Sequence, residues 1–224
     1  MSVSSFAFYS YILIITPPIS TQGDITVHTE DFHYYMFHKP YGCITARRDS
    51  HHPVVMDYFH TLNNPNLSPV GRLDRETEGL LIITDDGKWN EHMTRPEFHK
   101  EKRYEFTVLG ELTPEKILQL EHGVLLRGDD RPTAPAKLII TGYSTLGETL
   151  PYLNPEVQEK SRHNPMDRPI TFGTIIITEG RYRQIRRMMK AVRCLVLHLK
   201  RISMGNIELD PNLRPGEWKE IYPL

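Results

Sequence analysis

The order of apolar and polar positions changes period several times along the chain, and each change marks an element. Residues Phe32 to Phe37 read as a strand. A polar loop, Ala46 to His52, follows, and then a short helical pattern near Val54 to His60. Asn63-Asn64-Pro65-Asn66 is a turn cluster. Leu80 to Thr84 is a run of apolar β-formers ending in the turn Asp85-Asp86-Gly87, which predicts a buried strand. Lys88 to Met93 predicts a short helix that stops near Thr94-Arg95-Pro96.

Arg103 to Leu109 alternates as a strand. Thr113-Pro114 predicts a helix start, Thr113 as the cap and Pro114 at the first helical position, with the helix running to about Glu121. Val124 to Leu126, Lys137 to Thr141, Phe172 to Thr178 and Cys194 to Leu199 predict further strands. Between Tyr182 and Val192 the apolar residues Ile185, Met188, Met189 and Val192 share one helical face. Residues 142–169 are rich in Pro, Asn, Gly and Ser and read as a long surface insertion. Strands outnumber helices, and hairpins mix with helical connections. The expected class is α+β, with a mixed, mostly antiparallel sheet and flanking helices.

Composition narrows the setting. The chain has 224 residues, 25% charged and 39% hydrophobic, which is ordinary for a globular protein with a sizeable core. A net charge of −1 argues against a uniformly basic nucleic-acid binder and leaves room for a local basic patch. Such a patch is visible between 181 and 201, where Arg181, Arg183, Arg186, Arg187, Lys190, Arg193, Lys200 and Arg201 occur without one Asp or Glu. Cys43 and Cys194 lie far apart, with no Cys-x-x-Cys spacing, so a reducing cytoplasmic setting is the simplest. No histidine spacing matches a zinc site, and no Gly-rich phosphate loop precedes a Lys-Ser or Lys-Thr pair. The apolar segment Phe6 to Ile15 is too short to span a bilayer and lacks a basic flank, so it reads as a β-prone arm.

The chemistry concentrates in Val70-Gly71-Arg72-Leu73-Asp74-Arg75-Glu76-Thr77-Glu78-Gly79-Leu80. One carboxylate, Asp74, sits in a charged turn directly before a rigid apolar strand, an arrangement that holds a reactive group still. Gly71 and Gly79 bracket the turn and permit positive φ or close backbone approach. Read alone, Asp74 is equally a turn residue or a helix cap.

This stretch resembles the signature of the pseudouridine synthases that modify ribosomal RNA. Four further segments support the resemblance in the same order. Phe37-His38-Lys39-Pro40-Tyr41-Gly42 is similar to the family's opening motif, and Lys102-Arg103-Tyr104 to its Lys-x-Tyr. Glu179-Gly180-Arg181-Tyr182-Arg183-Gln184-Ile185-Arg186-Arg187 resembles its late basic motif, and Leu199-Lys200-Arg201 with Met204-Gly205 its closing segment. Tyr182, and Asp85-Asp86-Gly87-Lys88-Trp89, look closer to the small-subunit branch than to the large-subunit one.

The resemblance implies a split mixed sheet around a central cleft and a cofactor-free, metal-free isomerase. It implies Asp74 as nucleophile, Arg186 as its cationic partner and Tyr104 as the residue that stacks on uracil. Leu199 would line the uracil pocket, or simply pack in the core. Arg72 would fill the gap left by the flipped nucleotide, or touch a phosphate. Lys102, Arg181, Arg183, Arg187 and Arg201 would meet the RNA backbone. The expected domain spans 31–224, after an arm over residues 1–30 that is too short for the small RNA-binding domain most relatives carry there. The expected partner is ribosomal RNA, 16S before 23S, possibly within an assembly intermediate, bound by a monomer. Two other readings stay open: the same reaction on 23S or another structured RNA, and an RNA-binding assembly factor without catalysis.

Overall fold

A computed structural model describes residues 32–222, so the expected arm over residues 1–30 lies outside the described residues. In chain order the strands and α-helices are β1 (Tyr34–Lys39), β2 (Ser68–Pro69), β3 (Glu78–Thr84), α1 (Gly87–Thr94), β4 (Lys102–Leu109), α2 (Pro114–His122) and β5 (Lys137–Thr145). Then follow α3 (Leu146–Thr149), α4 (Pro155–Ser161), β6 (Pro169–Ile177), α5 (Gln184–Ala191), β7 (Leu195–Met204), β8 (Ile207–Glu208) and β9 (Trp218–Glu220). Residues Val55–Leu62, expected as a short helix, form a 3-10 helix.

The sheet runs β5-β6-β4-β7-β3-β1-β9, with β2 beside β3 and β8 beside β7. Its pairings are antiparallel except for one short parallel seam between β3 and β7, where Glu78 faces Lys200 and Gly79 faces Arg201. The fold is α+β, and the seam divides the sheet into two halves. Gly79 makes the close approach possible. Its φ is +101°, and a Cβ there would stand 2.2 Å from the Arg201 carbonyl oxygen. Both bracketing glycines adopt the left-handed φ expected of them, Gly71 at +69°.

Leu80 to Ile83 have no solvent exposure, so β3 is buried on both faces. Phe37, Leu81, Ile83, Phe106, Met188 and Met189 belong to one core that α5 covers with its apolar stripe. Leu80 and Ile82 point to the other face, against Val70, Met93 and Met204.

Several expectations need correction. Val124–Leu126 is no strand. Val124 and Leu126 are buried and Leu125 is exposed, but the Val124 N–H goes to the Thr133 hydroxyl, and only an isolated Leu125–Pro132 bridge remains. Thr113 has extended backbone before Pro114, yet its side chain caps nothing. The late helix begins at Gln184, since Arg183 takes a φ of +48°. β7 continues five residues past Leu199, through a lysine and an arginine that look like a strand end. The stretch 142–169, read as a surface insertion, carries regular structure. It completes β5, forms α3 and α4, and buries Leu146 and Leu153 against Leu109, Ile170 and Leu197.

Candidate active site

A cleft of about 660 Å³ opens beside the seam. The turn before β3 gives it Arg72 and Asp74, β4 gives Lys102 and Tyr104, β7 gives Leu199 and Arg201, the loop before α5 gives Arg181 and Arg183, and the first turn of α5 gives Arg186. Period two in the strands explains two of these pairs: residues i and i+2 point to one face. A register shift in the β4–β7 ladder, between Arg103 and Tyr104, sets Tyr104 directly opposite Arg201. Of the residues expected to act, only Arg187 does not line the cleft.

The Asp74 turn is held by its backbone. Five consecutive carbonyls, 73 to 77, each accept a hydrogen bond. The Thr45 hydroxyl donates to Leu73 O at 2.8 Å and accepts from Leu73 N at 3.1 Å. Thr77 N donates to Asp74 O, and Gly42 N to Arg75 O. Arg186 Nη2 donates to Glu76 O at 2.7 Å, and Lys39 Nζ to Thr77 O at 2.8 Å. Lys39 has no solvent exposure. Burial brings its pKa down to about 8. From outside, Arg75 is tied to Glu156 on α4 by 2.7 and 2.9 Å contacts.

Arg186 meets Asp74 differently from the two-pronged pairing the residue types suggest. Its Nη atoms are engaged by the Val196 and Glu76 carbonyls. Only Nε, which has no acceptor of its own, faces Asp74 Oδ2, at 4.0 Å. That is too long for a hydrogen bond and short enough for strong attraction. Burial pulls the Arg186 pKa below its ordinary value, against the opposing fields of Glu76 and Asp74. The Asp74 side chain keeps 26% exposure, so it faces both its cation and the open cleft.

The basic window 181–201 is not an outward stripe. Arg181 and Arg187 both pair with Asp129, and Arg181 also with Glu179. Arg183 pairs with Glu76 at 2.9 Å. Burial opposes the Glu76 charge, but Arg183 holds the carboxyl below its usual range. Arg201, expected to meet the RNA backbone, is 2% exposed, and its Nε donates to Leu80 O. Its place in the middle of β7 takes the side chain inward. Lys102 is half-buried, and burial lowers its pKa to about 8, with Arg201 adding to the effect.

Sequence reasoning missed Lys39, Thr45, Glu76 and Asp129 as parts of this site. Lys39 and Glu76 lie within quoted motifs. Thr45 and Asp129 carry no local signal, because their partners are far away in the chain. Among the described residues no cluster of His, Cys, Asp and Glu is arranged to hold a metal.

Comparison with known proteins shows the family. The profile of the RNA pseudouridylate synthases matches residues 33–191. The chain is 36% identical over 205 residues to an uncharacterized RNA pseudouridine synthase of Bacillus subtilis, covering 88% of this chain and 75% of that protein. It is 30% identical over 201 residues to ribosomal small subunit pseudouridine synthase A of Haemophilus influenzae, covering 89% and 75%. A crystal structure of a pseudouridylate synthase superposes with a TM-score of 0.69 at 31% identity, over 86% of this chain and 71% of that one. The human RNA pseudouridylate synthase domain containing protein 1 shares the fold, with a TM-score of 0.54 at 12% identity, over 80% and 78%.

Proposed function

This chain belongs to the RNA pseudouridylate synthase family, and from that premise we propose that it converts one uridine of 16S ribosomal RNA to pseudouridine. The reaction is an isomerisation. The bond from uracil N1 to ribose C1′ breaks, the uracil turns within the cleft, and C5 bonds to C1′. The proton on C5 leaves and N1 gains one, so atoms and electrons balance without an oxidant or reductant.

Asp74 is the nucleophile in this reading. The observation that carries it is the meeting of Asp74 Oδ2 with the otherwise unpartnered Arg186 Nε in the cleft. The cation there attracts the negative charge of the carboxylate. The five engaged carbonyls keep the carboxylate in place before substrate arrives, which is how positioning lowers a barrier. Tyr104 offers its ring to the uracil and its hydroxyl to a proton, and Leu199 packs beside the base. Arg72 is exposed at the cleft edge, where a side chain can fill the gap left by a flipped nucleotide. Arg183 and Arg181 carry positive charge along the same wall. The catalytic domain in this reading spans residues 31–224, and the protein works in the cytoplasm as a monomer.

The 16S assignment draws support from relatives named for the small ribosomal subunit, including the Haemophilus influenzae protein. Carbodiimide mapping of 16S and 23S RNA after incubation with the enzyme tests it. One new pseudouridine in 16S is expected. A new site in 23S instead would overturn the choice of RNA and keep the reaction.

A further inference from the structure

Two aromatic side chains line the cleft, and they differ in depth. Tyr104 is 7% exposed and sits in the floor, whereas Tyr182 is 79% exposed and stands at the rim. A tyrosine ring usually buries most of its surface. Tyr34, Tyr35 and Tyr58 pack against other rings of the protein. Among the described residues the one guanidinium set over a ring is Arg75, on Tyr41. The Tyr182 ring is left open to the mouth of the cleft.

The backbone beneath that ring is fixed. Arg181 N donates to Gln184 Oε1 at 2.9 Å, and Gln184 N donates to Arg181 O at 3.1 Å. Gln184 is buried, and its Nε2 donates to Glu179 Oε1 at 2.7 Å. On either side of Tyr182, Arg181 is paired with Asp129 and Glu179, and Arg183 with Glu76. A ring with two side-chain torsions on an anchored loop loses little freedom when something stacks on it.

We propose that Tyr182 is a stacking platform for a nucleobase beside the target uridine in the RNA strand. The inference rests on the reading of this chain as an enzyme acting on a uridine of RNA. Every base has a flat apolar face, and such a face stacks on an exposed aromatic ring whatever the base. Two rings at two depths match two bases of one strand: the floor ring serves the uracil that reacts, and the rim ring holds its neighbour. The arginines flanking Tyr182 already have carboxylate partners, and they hold the loop. The contact is to a base, so it adds affinity without adding salt dependence.

Equilibrium binding of fluorescent RNA pentamers tests the platform without requiring turnover. The first probe has a central uridine and adenine at the other four positions. The second keeps the uridine and the whole phosphate backbone but has abasic riboses in place of the adenines. Tyr182→Ala should bind the first probe about tenfold more weakly than wild type, inside the range of roughly fivefold to 150-fold for one stacked base. Tyr182→Phe should bind like wild type, because the ring carries the contact. The slope of affinity against salt should be the same for all three proteins. On the abasic probe wild type and Tyr182→Ala should bind equally. Restoring one adenine, on the 5′ or on the 3′ side of the uridine, should bring the gap back and identify the neighbour that stacks.

Tyr182→Ala binding the adenine-flanked pentamer like wild type would overturn the proposal. So would Tyr182→Phe as weak as Tyr182→Ala, which would assign the contact to the hydroxyl. A gap that persists on the abasic probe would reject a neighbouring base as the ligand. Mapping of pseudouridine with the same wild-type preparation separates the two failures. Product formed normally alongside Tyr182-independent binding removes the platform and leaves the proposed reaction standing. Tyr182-dependent stacking in a protein that forms no pseudouridine keeps the platform and overturns the reaction.

Discussion

Lys39 Nζ donates to the Thr77 carbonyl at 2.8 Å from a position with no solvent exposure. The same ammonium reaches Pro40 O at 3.0 Å and Arg75 O at 3.4 Å. One buried cation therefore ties the end of β1 to the turn that carries Asp74. Charge-assisted bonds to carbonyls are stronger than neutral ones, which suits a turn that must not move.

Lys39→Met should therefore act on rate more than on binding. The chain can still enclose RNA, but the carboxylate loses its fixed position. A fall in kcat of about tenfold to a hundredfold is expected, with KM changed less. Steady-state kinetics on an RNA that the wild type modifies provide the check.

The same lysine leaves a signature in stability. Burial brings the Lys39 pKa down to about 8 in the fold, against 10.5 for an unperturbed lysine. Between those values the unfolded chain binds the proton and the folded chain does not. Stability from this group therefore rises with pH across that window, the reverse of a lysine in a salt bridge. Denaturant unfolding at pH 7.5 and pH 10 should show wild type gaining on Lys39→Met at the higher pH. Lys102 titrates in the same window, and the difference between the two proteins isolates Lys39.

Gly79→Ala should damage the fold. A methyl group would meet the Arg201 carbonyl at 2.2 Å, at a φ that L-residues rarely adopt. A loss of about 3 kcal/mol is expected from the strain and the clash together. For a protein of this size that lowers the Tm by roughly 6–12 °C, measurable by thermal unfolding.

Tyr104 separates ring from hydroxyl. Tyr104→Phe keeps an aromatic surface in the cleft and removes the group that can reach a proton. RNA affinity should stay near wild type while kcat falls by about a hundredfold, within the usual range for a general acid or base. Single-turnover rates with enzyme in excess distinguish this from a binding defect.

The legible parts of this protein were those encoded locally. The run Leu80 to Ile83 signals β3 by its composition, and Gly71 and Gly79 announce backbone that other residues resist. Long-range partnership was not legible. Arg181, Arg183 and Arg187 look free in a window without acids, yet Asp129 and Glu76, both distant in the chain, occupy them. Arg201 looks like a surface cation until β7 is seen to continue through it. The stretch 142–169 hid short helices because Pro and Asn, read as loop formers, here start or cap them: Asn154 caps α4 and Pro155 opens it.

Release of tritium from C5 of uridine in [5-³H]uridine-labelled ribosomal RNA, by wild type and by Asp74→Asn, tests the central claim most directly. Asparagine keeps the size of the side chain and removes its charge. Wild type should release one equivalent per target uridine, while Asp74→Asn, folded and binding RNA with unchanged affinity, should release none. Release by Asp74→Asn within tenfold of the wild-type rate would show that another group attacks the nucleoside.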